Sequence, residues 1–349
     1  MTADAIGTGP IGAGASGTGG SGAPGPFERL VGLVEADLAR VNVLVRERMA
    51  SEHAPRIPEI SAHLIEAGGK RLRPILTLAA ARLCGYRGAD HVKLAASVEF
   101  IHTATLLHDD VIDESRQRRG RATANLLWDN KSSVLVGDYL FARAFQLMVE
   151  TGAIRVLRIL SDASAVIAEG EVLQLTTAHD LSTDPARHDQ VIRGKTAALF
   201  AAATEVGGVI AGAADPETKA LRVYGDGLGM AFQLTDDLLD YGGSSATLGK
   251  DTGDDFRQGK VTLPVILAYR RGDEAARAFW RRAIVRGPQE PGDLAEALAH
   301  LEATGALAET QATARRHADR ALAALAAFPS GALRTALEDI AEFVVARTA

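Results

Sequence analysis

From residue 27 onward, apolar side chains return every three or four positions. Phe27, Leu30, Val31, Val34, Leu38, Val41 and Val45 form the first such stripe, the mark of an amphipathic helix. The same period runs through residues 75–83, 92–107, 133–150, 154–178, 196–211, 218–239, 263–269, 274–285, 294–304 and 310–327, and through the stretch before Ala349. No run alternates with period two over a useful length, so no substantial strand is predicted. Turn chemistry falls between the periodic segments, at Gly85-Tyr86-Arg87-Gly88, Asp184-Pro185, Asp215-Pro216, Gly242-Gly243 and residues 287–292. None of these breaks is long enough to be an interdomain linker. The expected fold class is all-α: one helical domain over residues 27–349, around the kind of central cavity in which bundles place metals and ligands. Residues 1–26 are rich in Gly, Ala, Ser and Thr and end in Pro24-Gly25-Pro26. Such a segment cannot bury enough apolar surface to offset its ordering entropy, so a disordered tail is expected there.

Composition narrows the function. The 349 residues would suggest two domains as a soft prior, and the lack of a linker reduces that to one. A net charge of −6 argues against a nucleic-acid binder, which would carry a basic face. The single cysteine, Cys84, allows no intramolecular disulfide, which fits a reducing cytoplasm, and its helical setting reads as buried structure rather than a nucleophile. The most apolar stretch, residues 197–214, is Ala- and Gly-rich and carries Glu205, so no membrane span is expected. Nor does the N-terminus show the basic and Leu-rich regions of a signal peptide.

Against this bland helical background, two acidic clusters stand out. Asp109-Asp110-Val111-Ile112-Asp113 and Asp236-Asp237-Leu238-Leu239-Asp240 both read DDxxD and both follow apolar helical runs. At i, i+4 spacing, Asp109 projects with Asp113 and Asp236 with Asp240, and like charges so placed weaken a helix. Near a helix C-terminus the macrodipole adds to the cost. A cation should offset it, and Mg²⁺ fits because it takes a few carboxylates and completes its shell with water and phosphate oxygens. Two facing clusters would hold a diphosphate through bridging metals.

Basic groups accompany the acidic ones. Arg116-Gln117-Arg118-Arg119-Gly120-Arg121 follows the first cluster; such a run is ordinarily a surface ion-pair patch, but here its guanidinium forks suit diphosphate oxygens. Gly68-Gly69-Lys70-Arg71-Leu72-Arg73-Pro74 lacks the P-loop spacing and follows no predicted strand. Lys70 and Arg73 would share a helical face, and His102 lies two turns before Asp109 on roughly the same face as that aspartate. A histidine there is ordinarily a satisfied interior residue; beside Lys70 and Arg73 it would complete a metal-free anion site. Lys195, Thr196 and Gln233 would each pass for ordinary polar residues alone. Residues 242–247 form a flexible-looking loop leading to Lys250 and Lys260, suited to closing over a phosphate.

The order and spacing of these segments resemble the trans-isoprenyl diphosphate synthase, or polyprenyl synthetase, family. The matching stretches are GGKRLRP at 68–74, HTATLLHDDVIDES at 102–115, RRG at 118–120, GKT at 194–196, QLTDDLLDYGG at 233–243, and Lys250 with GKVTLP at 259–264, so the likeness spans roughly residues 27–345. The resemblance implies an all-α isoprenoid-synthase helical bundle, a homodimer, and about three Mg²⁺ ions held by Asp109, Asp113 and Asp236, with Asp110 and Asp240 in support. It implies that Arg118, Lys195 and Lys250 contact the allylic diphosphate, and that Lys70, Arg73, His102 and Arg119 bind isopentenyl diphosphate. Lys195, Thr196 and Gln233 would lie by the developing carbocation, with Lys260 on the closing loop.

In this family an aromatic residue four or five places before the first cluster floors the pocket for short products. Here Ile101, Ala104 and Thr105 line that face, so a long product of about C35 to C50 is expected, such as a quinone side-chain precursor, released with transient contact at a membrane surface. A short-chain geranylgeranyl or farnesyl synthase is the nearest alternative. A class I terpene cyclase fits less well, because DDLLD does not match its second metal motif and it needs no second diphosphate site. A non-catalytic helical subunit would be expected to carry damaged motifs, and none is seen.

Overall fold

The computed structural model describes residues 24–66, 68–118, 120–242 and 253–347. The expected tail, residues 1–23 of it, lies outside them; Pro26 already opens the first helix, α1 (Pro26–Met49), at a position where its missing N–H costs nothing. Leu30, Val34, Val41, Val45 and Met49 are the buried face of α1. Then come α2 (Arg56–Glu66), α3 (Leu72–Leu83) and α4 (Asp90–Ile112). Apolar residues surround nearly the whole circumference of α4, as a helix at the centre of a bundle requires. It packs on α1, α3 and α6 (Asn130–Glu150), and its C-terminal end carries the first acidic cluster.

A two-residue ladder, β1 (Gln117–Arg118) with β2 (Arg121–Ala122), and the short α5 (Ala124–Leu127) lead into α6. Next are α7 (Ile154–Thr177), α8 (Pro185–Ile192), a π-helical segment Arg193–Ala197, α9 (Ala198–Ile210) and α10 (Asp215–Gly242), which ends in the second acidic cluster. The remainder comprises α11 (Asp254–Arg257), α12 (Leu263–Arg271), α13 (Glu274–Trp280), a second π segment Arg281–Arg286, α14 (Asp293–Ala303), α15 (Ala306–Leu325) and α16 (Ala332–Ala346). One large core fills the space among α1, α3, α4, α6, α9, α10, α15 and α16, and a smaller one gathers round Phe256, Phe279 and Trp280 behind the second cluster. Among the described residues no helix is long and apolar enough to cross a membrane.

The all-α expectation holds. The differences are local: α2, α8 and the four-residue α5 and α11 lack a counterpart in the periodic reading, and the predicted helices over 196–211 and 274–285 are each part π-helix.

One buried polar knot ties α1, α3 and α4 together. Asp37 accepts from Arg82 Nε at 2.7 Å, and His91 Nε2, on a fully buried ring, lies 2.9 Å from Asp37 Oδ2. Burial pushes the Asp37 carboxyl up, but hydrogen bonds from His91 and Arg82 outweigh it and hold it below its ordinary value. Burial pushes His91 down against the pull of Asp37, so its proton affinity is lower folded than unfolded. Both shifts act in the same sense. The His91 contribution is complete above about pH 6.5, the ordinary histidine value, and is lost as pH falls below it; Asp37 adds a second loss as pH falls through its depressed value. The stability difference between the native protein and Asp37→Ala, read from thermal melts, should therefore shrink from about pH 6.5 downward. Asp37→Ala should cost about 2 kcal/mol at neutral pH, less than a fully buried pair because Arg82 is partly exposed. A flat pH profile, unchanged by that substitution, would show the knot to be energetically idle.

Candidate active site

The two acidic clusters both sit at helix C-termini, where the dipole is least hospitable to carboxylates. Asp109 is in the last turn of α4, and Asp113 caps it, donating its backbone N–H to the Asp109 carbonyl at 2.8 Å. Burial pushes the Asp109 carboxyl above its usual range; Lys195 opposes the shift and Asp113 reinforces it.

Lys195 comes to this cluster from the π segment between α8 and α9. Its Nζ lies 2.9 Å from Glu171 Oε2 and 3.7 Å from Asp109 Oδ2. Burial disfavours the ammonium, yet Asp109 and Glu171 more than compensate and hold its pKa up, so it stays protonated. The approach depends on two glycines. A Cβ on Gly170 of α7 would fall 2.7 Å from the Lys195 backbone nitrogen, and one on Gly194 would fall 2.9 Å from the Gly170 Cα. Only bare backbones let α7 and the π segment cross this closely, and the crossing sets Glu171 against Lys195. An inserted π turn of this kind redirects side chains that a regular helix would aim elsewhere.

The next residue continues the connection. Thr196 Oγ1 donates to Gln233 Oε1 at 2.7 Å, and Gln233 Nε2 donates to Asp237 Oδ1 at 2.9 Å. Lys195 therefore reaches the first cluster while Thr196 is linked through Gln233 to the second. A cavity of about 90 Å³ lies along this line, bounded by Lys195, Gln233, Asp237, Asp255 and Lys260.

In the second cluster Asp236 is exposed, whereas Asp237 is buried beside His188 Nε2 at 3.6 Å. Asp240 has a structural task as well: its carboxylate accepts from the backbone N–H groups of Asp254 and Asp255 at 3.1 and 3.0 Å, bracing the start of α11. That brace carries Asp255 into the site. Burial pushes the Asp255 carboxyl up to about 7, Lys260 at 3.4 Å opposing and the second cluster reinforcing the shift.

The basic loop before α3 forms a separate group. Positive φ angles at Gly68 (81°), Gly69 (153°) and Arg71 (47°) fold it back on itself. Arg73 Nη1 lies 3.1 Å from His102 Nε2, its guanidinium stacked 4.4 Å from the Phe200 ring centroid. Lys70 is exposed, and Arg71 Nε lies 4.0 Å from Glu99 Oε1 beside a small hollow that His102 also lines. Lys70, Arg71 and Arg73 thus bring three cationic side chains together, with Glu99 the carboxylate beside Arg71, and the group can grip an anion through its cationic donors.

Arg118 is held by the β1–β2 turn and makes a bidentate pair with the fully buried Asp110, Nη2 donating to Oδ1 at 2.7 Å and Nε to Oδ2 at 3.1 Å. Asp110 is thus neutralised within the protein, whereas Asp109 shares the Lys195 ammonium with Glu171. Arg119 and Lys250 lie outside the described residues. Ile101 and Ala104 are fully buried on α4 and Thr105 is half-buried, its hydroxyl donating to the His102 carbonyl at 2.8 Å. Sequence reasoning missed Glu171, Asp255 and His188. Glu171 had a signal: Val156, Leu160, Ala163, Ile167 and Gly170 mark the buried face of α7, and a glutamate next to it is out of place.

Among the described residues no three carboxylate, histidine or cysteine side chains already converge as a metal cage. The donor set nevertheless suits Mg²⁺, which is held by one or two carboxylates and otherwise by water and substrate phosphate. The buried Oδ2 of Asp237 makes no hydrogen bond among the described residues, and the carboxyls of Asp109 and Asp255 are raised by burial, with neighbouring carboxylates adding to the shift. These are marks of negative charge that a cation would relieve.

Comparison with known proteins agrees with this geometry. The sequence profile described as polyprenyl synthetase matches residues 54–301. Octaprenyl diphosphate synthase of Escherichia coli is 44% identical over 320 residues, covering 92% of this chain and 98% of that protein. Among solved structures, a decaprenyl diphosphate synthase from Rhodobacter capsulatus superposes with a TM-score of 0.90 at 64% identity, covering 93% of this chain and 100% of the other. A polyprenyl synthase from Caulobacter crescentus complexed with calcium and isoprenyl diphosphate gives 0.89 at 55% identity, with 93% and 99% covered. Fold, motif order and sequence agree along nearly the whole chain, which belongs to the polyprenyl synthetase family and has its isoprenoid-synthase helical fold.

Proposed function

We propose that this chain is an Mg²⁺-dependent trans-polyprenyl diphosphate synthase, a prenyltransferase that adds isopentenyl diphosphate units head-to-tail to an allylic diphosphate and releases diphosphate. The observation that carries the reading is the Lys195–Thr196 segment, paired to Asp109 on one side and linked through Gln233 to the second acidic cluster on the other. Asp109, Asp113 and Asp236, supported by Asp110 and Asp240, would hold the ions, about three of them as the family resemblance implies. When bound, those ions neutralise charge on the departing diphosphate.

The protein's own groups do the rest. Lys195, with Arg118 and Lys250, adds positive charge on the leaving diphosphate. Lys260, which lines the cavity beside Asp255, adds a further cation. Thr196 Oγ and the Gln233 amide offer dipoles beside the allylic carbocation in a site from which water is excluded. Lys70, Arg73, His102 and Arg119 orient isopentenyl diphosphate so that its double bond attacks, forming the new carbon–carbon bond. The released diphosphate takes the proton lost afterwards, so no dedicated base is required.

The product assigned is about C35 to C50, because Ala104 and Thr105 put small side chains below the first cluster. The relatives named for octaprenyl, nonaprenyl and decaprenyl products support the long end of the family. The working unit is taken to be a homodimer: α6 exposes Val134, Leu135, Phe145 and Val149 next to Leu126 and Leu127 of α5, an apolar face suited to a second copy. A cytoplasmic location fits the lone cysteine, whose thiol is pushed up to about 11 by burial and so is inert. The product itself is apolar enough to leave by way of a membrane surface.

The test incubates the full chain with Mg²⁺, labelled isopentenyl diphosphate and, separately, dimethylallyl, geranyl, farnesyl or geranylgeranyl diphosphate, then sizes the dephosphorylated products. A ladder reaching about C35 or beyond is expected. A stop at C15 or C20 would keep the chemistry and assign a short-chain synthase. No elongation from any primer would overturn the reading in favour of a silent subunit.

A further inference from the structure

Lys70 stands apart from the other cations of its loop. Arg73 is stacked on Phe200 and bonded to His102, and Arg71 lies near Glu99, whereas Lys70 makes no hydrogen bond or ion pair among the described residues. Its ammonium instead lies 5.6 Å from the ring centroid of Phe27 and 5.6 Å from that of Phe343. Both distances are within the range of cation–π attraction. The two rings come from opposite ends of the chain, Phe27 from the first turn of α1 and Phe343 from the last turn of α16. These helices pack together, and Arg29 Nη2 fastens them with an ion pair to Asp339 Oδ2 at 2.7 Å.

We infer that Phe27 and Phe343 are positioning residues for Lys70, forming a two-ring cradle that presents its ammonium to the diphosphate of the incoming isopentenyl unit. The inference rests on the assignment of Lys70 to that diphosphate. A lysine next to two glycines, on a flexible four-carbon stem, would otherwise sample many rotamers and lose that freedom on binding. Ring faces suit the task because they attract charge through their quadrupole and accept none of the three N–H donors in a directed bond. A carboxylate in their place would fix the ammonium more strongly, but would occupy those donors and repel the arriving diphosphate. The cradle also places one contact of the second substrate under the control of the α1–α16 pairing, well outside the acidic clusters.

The experiment measures steady-state kinetics of the full chain for Phe27→Leu, Phe343→Leu, Phe343→Tyr, Lys70→Ala and the double variant Lys70→Ala/Phe343→Leu. Each Leu variant should raise the KM for isopentenyl diphosphate about two- to fivefold, with kcat and the allylic KM little changed. Phe343→Tyr keeps the ring and should restore the native KM. On the Lys70→Ala background, Phe343→Leu should add nothing. An unchanged KM in both Leu variants, an equal rise for both substrates, or a full additional effect without Lys70 would each overturn the cradle. If Lys70→Ala itself leaves the isopentenyl KM unchanged, the assignment of Lys70 to that diphosphate fails first. That failure is distinguishable from one in which Lys70 matters and the rings do not.

Discussion

Asp109→Asn should reduce turnover about a thousandfold, equivalent to roughly 4 kcal/mol of transition-state stabilisation, and leave the fold slightly more stable than before. The amide matches the carboxylate in size, so the packing at the end of α4 is kept. What disappears is one negative charge from a half-buried position four residues from Asp113, at the unfavourable end of a helix dipole. Relief of that repulsion is worth about 0.5 kcal/mol, or a rise of about 1–2 °C in Tm. Lys195 keeps its closer partner, Glu171 at 2.9 Å, so the π segment has no reason to move. The catalytic loss and the gain in stability thus come from the same charge. Diphosphate release in steady state, together with melts in the presence and absence of Mg²⁺ and a diphosphate, would check both. In the native protein the metal and diphosphate should raise Tm, and in the variant that increment should shrink markedly. Native turnover in the variant, or an unaltered metal-dependent increment, would remove Asp109 from the metal site.

The features read from sequence were those with a strict local period or an improbable charge. Helix α4 was legible because its apolar pattern is long and uninterrupted, and Asp109 and Asp113 because carboxylates at i, i+4 need a reason to coexist. Helix α2 escaped because Pro58 falls within its first turns, and α8 because it has only eight residues with little apolar content. The π segments were invisible in principle: the residues 193–197 would suit an ordinary helix, and the extra residue in the turn follows from tertiary packing of Gly194 on Gly170. Within the site, Lys195 and Gln233 could be named from their motifs, but their partners could not. Glu171 reaches Lys195 across 24 positions of sequence, and Asp255 enters because Asp240 caps α11. Arg118 shows the converse limit. Sequence marks it as a cation near a cluster, and only the β1–β2 turn shows that Asp110 takes it bidentately.

Ala104→Phe should shorten the product from about C35 or longer to about C15 to C20, with the first condensations still running. Ala104 lies five residues before Asp109, about 7.5 Å down the helix axis, and Thr105 lies about 6 Å down. On the proposed pocket, a ring at either position would stand in the path of the growing chain as it leaves the first cluster. On the proposed assignment the rate of early additions depends on Lys195, the acidic clusters and the basic loop, none of which the substitution replaces. The competing outcome is structural. Ala104 is fully buried in this structure, so a larger side chain could overpack the core at a cost of about 1–3 kcal/mol. Thr105 separates the two cases because it is only half-buried, so a ring there displaces less of the packed core. Chromatographic sizing of products from both Phe variants, beside their Tm values, decides the matter. Shortened products with a native Tm in Thr105→Phe would establish this face of α4 as the floor of the pocket. An unchanged product ladder in two folded variants would move the floor to another helix, and the long product would then need an explanation other than the small side chains before Asp109.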